Sequence, residues 1–252
     1  MKLLSLARDL QRRKARERHQ LFVAEGIRAV EELLASPLHV VGALTADDAS
    51  ANTRLARLRE GIVARGVELA EVSERDFASA SDTETPQGIL AIGQIPERAL
   101  SSATLADRAR VLVLDAIQDP GNVGTILRTA AAFDASVTVA TPGTVDLWNA
   151  KVVRGAMGAL FRHQAVHASW SELDTFLRDS DIVVWGADAA GSPLGDLTAP
   201  AKLAIVVGNE GSGLTNDARS RVAHTVSIPT STTVESLNVA VAAGILLYHF
   251  RP

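Results

Sequence analysis

Between residues 109 and 252 the chain carries apolar runs too short for helices and too continuous for half-exposed strands. Val111-Leu112-Val113-Leu114, Ile182-Val183-Val184-Trp185 and Leu203-Ala204-Ile205-Val206-Val207 are each bounded by polar or glycine-containing turns. A strand reads this way when both of its faces are buried, as they are in a parallel sheet with helices on each side. Helical periodicity over 123–133 and 237–250 alternates with these runs and with strands expected at 135–140 and 226–228. The pattern predicts an α/β domain built on a mostly parallel sheet.

The first part of the chain alternates in the same way but less regularly. Leu3, Leu6 and Leu10 recur at helical spacing, and Leu21-Phe22-Val23-Ala24 reads as a strand that Glu25-Gly26 ends. A helix through Ile27, Val30, Leu33 and Leu34 follows, then strands at 40–44, 67–72 and 88–92, with a charged amphipathic helix over 55–65. Pro96, Glu97, Arg98, Ser101, Ser102 and Asp107 mark a linker with weak periodicity. The expected organisation is a small α/β domain over 1–95, a linker over 96–108 and the larger α/β domain over 109–252.

Composition narrows the chemistry. There is no cysteine, which excludes disulfides, thiolate metal sites and thiol nucleophiles. The six histidines show no metal-ligand spacing, so no metal is expected. No run approaches the ~20 apolar residues of a membrane span, and no secretion signal is read at the N-terminus, so the expected location is the cytoplasm. The formal net charge is -4, which argues against a non-specific nucleic-acid coat. A local basic patch stands out nonetheless: Lys2, Arg8, Arg12, Arg13, Lys14, Arg16 and Arg18. It suits phosphates, although a solvated helix face accounts for the individual residues equally well.

Three polar segments interrupt the larger domain. The first, Asp115 to Arg128, leaves a strand, turns at Pro120-Gly121 and enters a helix. Ligands collect at that edge of a parallel sheet. Asn122 is either a cap or a ligand donor, and the planar fork of Arg128 suits phosphate or carboxylate. The second, Gly208-Asn209-Glu210-Gly211-Ser212-Gly213-Leu214, follows the 203–207 strand; its glycines permit close backbone approach. It is neither a Walker loop nor a dinucleotide fingerprint. The third runs from Ile228-Pro229 to Ser236-Leu237-Asn238-Val239-Ala240, with Ser236 expected to cap the closing helix and Asn238 to fall in its first turn.

Together, and in this order, the three segments resemble the SpoU, or TrmH-like, RNA ribose methyltransferases of the SPOUT superfamily. Phe22-Val23-Ala24-Glu25-Gly26, with Arg28 and Glu31, resembles that family's N-terminal RNA-binding domain, and Thr85-Pro86-Gln87-Gly88-Ile89 fits its last strand. Arg154-Gly155-Ala156-Met157-Gly158-Ala159 resembles a further family stretch, with Ala156 in place of a common serine. The chain departs from the family at Thr230 and Thr232, where many members carry Met and Gly; two β-branched residues stiffen that loop.

The resemblance implies a SPOUT-type α/β domain with a deep C-terminal trefoil knot, an N-terminal L30e-like α/β domain and a homodimer. It implies S-adenosylmethionine, held in bent form by Gly208, Asn209, Glu210, Gly211, Ile228, Ser236 and Leu237. The implied catalytic set is Asn122, Arg128, Glu210, Ser236 and Asn238. In that set Arg128 positions phosphate and ribose near the subunit boundary, since a guanidinium is a poor base. Structured RNA, with ribosomal RNA preferred, would meet Arg12, Arg13, Lys14, Arg16, Arg28 and Arg128. A tRNA ribose methyltransferase and a catalytically inactive RNA-binding homologue are the alternatives.

Overall fold

A computed structural model describes residues 2–47, 52–231 and 236–252. The chain forms two compact units. The first is Met1–Glu97 with Trp148–Arg162, and the second is Arg98–Leu147 with His163–Pro252. Residues 148–162 pack within the first unit.

In the first unit, α1 (Lys2–Asp9) and α2 (Arg13–His19) precede β1 (Leu21–Glu25) and α3 (Ile27–Leu34). β2 (Val40–Ala46), α4 (Thr53–Ala64), β3 (Leu69–Val72), α5 (Glu74–Ala80) and β4 (Ile89–Gln94) follow. The sheet order is β1-β4-β2-β3, antiparallel except for the parallel β2–β3 pair. Of the leucines expected on one helix face, Leu3 and Leu10 are buried with Leu4, Ala7, Val23, Leu44, Phe77, Leu90 and Ile92, and Leu6 packs against them partly buried. Gly26 has φ +97° and lets the chain leave β1 directly into α3. There the Ile27 N–H donates to Gln87 Oε1 at 2.9 Å. α7 (Ala150–Gly155) joins this unit, and Trp148 lies against Phe22 with ring centroids 4.5 Å apart.

The second unit is the predicted parallel sheet. Its strands are β5 (Ala109–Leu114), β6 (Val137–Ala140), β7 (Ala165–His167), β8 (Val183–Pro193), β9 (Lys202–Val207) and β10 (His224–Ser227). They lie in the order β10-β8-β9-β5-β6-β7, every pair parallel. All of β5 is buried, as its continuous apolar run requires. The helices are α6 (Pro120–Ala132), α8 (Trp170–Asp179), α9 (Asn216–Arg219) and α10 (Val239–His249). α10 packs on α6 and reaches β9. Its far end is held by the fully buried Arg110, whose Nε donates to the Phe250 carbonyl.

His163 is buried beside β6, its Nε2 2.8 Å from Thr138 Oγ1. Burial, and then the charge of Arg98, push its imidazole down to about 4. The unfolded chain takes up this proton near its ordinary value, whereas the folded chain resists until about pH 4. The stability it contributes is complete above about pH 6.5 and is lost as pH falls towards 4, by up to roughly 3 kcal/mol. Urea unfolding at pH 7 and 4.5 should show this loss, and H163Q should flatten it. Equal pH slopes for the two proteins would remove His163 as the cause.

Candidate active site

A pocket of about 470 Å³ opens at the C-terminal end of β9, with Ala187, Asp188 and Ala189 of β8 and Val226 of β10 in its lining. Gly208, Asn209, Glu210 and Gly211 line it from the loop after β9. Ile228, Ser236 and Leu237 line it from the segment before α10. The residues expected to hold a cofactor therefore share one cavity.

The loop after β9 is closed on itself. Asn209 and Gly213 exchange two backbone hydrogen bonds of 3.0 Å. A Cβ on Gly208 would lie 2.4 Å from the Gly213 carbonyl carbon, so only glycine allows this closure. Asn209 Oδ1 accepts from the N–H groups of Gly211 and Ser212 at 3.0 and 3.1 Å. Its Nδ2 donates to the Ala116 carbonyl at 2.9 Å, fastening this loop to the one after β5. Fully buried Asp115 adds a second fastening, accepting from Thr215 N at 2.7 Å and Thr215 Oγ1 at 3.0 Å.

A chain of amide bonds then joins all three polar segments. Asn238 Nδ2 donates to Asn122 Oδ1 at 2.9 Å, and Asn122 Nδ2 donates to Glu210 Oε1 at 2.9 Å. Asn122 neither caps α6 nor lines the pocket. Asp119 is the cap, accepting from Asn122 N at 2.7 Å, and Pro120 fills the first helical position. Asn122 is left free to bond Glu210, which does line the pocket.

The expected cap of the closing helix is corrected. Ser236 does not cap α10; Asn238 does, its Oδ1 accepting from Ala240 N at 2.9 Å and Val241 N at 3.3 Å. Both residue types cap well, and the helix starts late enough for the second to take the role. Asn238 thus anchors the helix with its oxygen and the amide chain with its nitrogen. Thr230 lines the pocket, while Thr232 lies outside the described residues.

Arg128 stands apart. It is exposed on α6, makes no hydrogen bond or ion pair with any described residue, and does not line this chain's pocket. Within one chain Glu210 meets two amides rather than Arg128. Sequence reading missed Asp188 and Arg219, which line the pocket and pair at 2.9 Å.

In the first unit the basic patch divides. Arg16 is corrected: it is buried, and its Nη1 donates to the carbonyls of Leu10 and Gln11 at 2.8 and 2.9 Å, so it serves the fold. Arg12 pairs with Asp9 and Arg13 with Glu17, both arginines well exposed. Such exposed pairs contribute only about 0–1 kcal/mol, so exchanging them for phosphate costs little. Lys14 and Arg28 are exposed. Among the described residues no group of His, Asp and Glu is arranged to hold a metal, and no helix is long and apolar enough to cross a membrane.

Glycine-closed and proline-turned loops around a pocket at the edge of a parallel sheet define an α/β small-ligand site. Residues 109–248 match the model of the SpoU rRNA Methylase family, and residues 5–91 match the MRM3-like substrate binding domain. The chain belongs to the SpoU methylase family. It is 36% identical over 245 residues to the 23S rRNA (guanosine(2553)-2'-O)-methyltransferase RlmP of Bacillus subtilis, spanning 97% of this chain and 94% of that one. An AdoMet-bound rRNA methyltransferase from Sinorhizobium meliloti superposes with a TM-score of 0.86 at 26% identity, covering 99% of this chain and 94% of that one. AviRb from Streptomyces viridochromogenes, at 24% identity, shares the fold with a TM-score of 0.88, covering 99% of this chain and 97% of its own.

Asn238 carries two separable roles. Asn238→Ala should cost about 1 kcal/mol through the lost cap, whereas Asn238→Ser should stay within a few tenths of wild type. Urea unfolding reads both. Equal destabilisation of the two variants would show that the cap is not what Asn238 contributes.

Proposed function

We propose that this chain transfers a methyl group from S-adenosylmethionine to a ribose 2'-hydroxyl of ribosomal RNA. The observation that carries the reading is the amide chain Asn238–Asn122–Glu210, which joins the three family segments beside one pocket. The pocket suits the donor. Its volume falls within the ~300–1,000 Å³ of small-molecule sites. Its lining is mixed, with Val207, Val226 and Leu246 beside Asp188 and Glu210. Glu210 accepts only from neutral amides, leaving its charge available to a cationic ligand.

When bound, the donor supplies an activated methyl group on a sulfonium. The chain's own contribution is then placement and exclusion of water. The glycine-closed loop and Ile228, Ser236 and Leu237 hold the donor. Asn122 and Asn238 keep Glu210 oriented at the reacting end. Arg128 positions the RNA phosphate and ribose. A guanidinium stays protonated, so its service is electrostatic rather than proton removal.

Arg128 acts at the pocket of a second copy in this reading. Its exposure on α6 supports that, as do Val241 and Tyr248, which are 51% and 57% exposed on the adjoining α10. The homodimer would cover both. The knot belongs to the same reading: after β10 at one edge of the sheet the chain returns to pack α10 on α6 and β9. The proposed division is an L30e-like domain over 1–95 that meets RNA through Arg12, Arg13, Lys14 and Arg28, a linker over 96–108 and the methyltransferase domain over 109–252. The cytoplasm, where ribosomal RNA is found, is the proposed location.

Arg128→Ala should leave S-adenosylhomocysteine affinity within about threefold and lower methyl incorporation into ribosomal RNA on the order of a hundredfold. Calorimetry and labelled-methyl transfer measure the two separately. Wild-type turnover in the variant would remove Arg128 from the chemistry.

A further inference from the structure

We infer that Asp188 is the acceptor for the ribose diol of the nucleoside that enters the pocket, an assignment that rests on the methyl-donor reading of that pocket. The sheet is broken beside the pocket. β8 pairs with β9 as far as Gly186 opposite Val206. On its other side the register with β10 jumps from Thr225 opposite Gly186 to Val226 opposite Ser192. Residues 187–191 therefore leave the ladder at the ligand-binding edge, and Ala187, Asp188 and Ala189 line the pocket. The return of this excursion is pressed against β10. A Cβ on Gly191 would lie 2.6 Å from the Thr225 carbonyl carbon.

Asp188 is fixed on both oxygens. Oδ1 accepts from Ala190 N at 3.0 Å, and Oδ2 accepts from Arg219 Nη1 at 2.9 Å. Arg219 is itself held by its Nε, which donates to the Leu214 carbonyl at 3.2 Å. The Ala190 amide first, and Arg219 second, hold the Asp188 carboxyl below its ordinary range, so it remains a carboxylate. Its side chain is 21% exposed in the pocket lining, and each oxygen keeps further acceptor capacity.

Charge separates the two carboxylates of this lining. Arg219 already compensates Asp188, whereas Glu210 meets only the neutral amides of Asn122 and Asn209. A cationic group gains more at the uncompensated Glu210. A compensated, rigid carboxylate with two oxygens suits neutral donors at fixed spacing, and the vicinal hydroxyls of a ribose are such a pair. An acid beyond a strand end performs the same service in dinucleotide-binding sheets.

Isothermal calorimetry on the full chain tests the assignment with S-adenosylhomocysteine and its 2'-deoxy and 3'-deoxy counterparts. Wild type should bind each deoxy ligand about tenfold or more weakly than the parent. D188A should bind the parent about tenfold more weakly and no longer distinguish the three. D188N keeps the shape and the Ala190 bond, and should show reduced discrimination even if D188A melts early. Wild-type discrimination in the Asp188 variants would overturn the assignment. Failure of wild type to bind S-adenosylhomocysteine would overturn the methyl-donor reading itself.

Discussion

One buried carboxylate holds the site together. Asp115 directly follows β5, has no exposure and commits both oxygens to Thr215, the residue that opens α9. A buried carboxylate without such donors would be costly, so the two loops it joins cannot separate cheaply. The next residue, Ala116, has φ +54°, a conformation costly for a residue with a Cβ. That turn presents the Ala116 carbonyl to Asn209 Nδ2. The loop after β9 is therefore set by the loop after β5 before any ligand arrives. Glu210, on that loop, then meets Asn122 at a distance fixed by the two fastenings.

β5, β6 and β9 were legible because they are buried on both faces and are almost continuously apolar, whereas the three-residue β7 passed unread. α8 was legible in principle but passed unread: Ser169 and Glu172 form a capping box ahead of Leu173, Phe176 and Leu177. α9, with only four residues, offers too few positions to show a period. The packing of 148–162 in the first unit depends on Phe22 meeting both Trp148 and Phe161, which no local pattern encodes. The fate of Arg16 was equally hidden. A basic run records charge, while burial of one member depends on the free carbonyls at the turn after α1.

In the site, residue identity was legible and connection was not. Asn122, Glu210 and Asn238 stood out by type and setting, yet nothing in one dimension says that one amide bridges the other two. The choice of Asn238 over Ser236 as cap follows from where the backbone becomes helical. Asp188 was invisible for a different reason. It lies just past an apolar run, where the excursion it occupies exists only because β10 skips from Gly186 to Ser192. A register break is a property of two strands, so neither sequence alone carries it.

These features divide the work of the pocket between rigid and uncommitted groups. Asp188 and Arg219 neutralise each other and are tied to backbone, so ligand binding need not reorganise them. Glu210 is oriented by amides but keeps its charge, and Arg128 keeps its charge with no partner among the described residues of its own chain. Under the proposed function, such an arrangement would bind the nucleoside through prepaired groups and hold uncompensated charge for the end where charge must change. Preorganisation of that kind lowers the barrier because the groups need not turn as the reaction proceeds. The arrangement also separates failure modes. Loosening the Asp115 clamp should disturb every group on the second loop together, whereas altering Arg128 should leave the pocket's own hydrogen bonds intact.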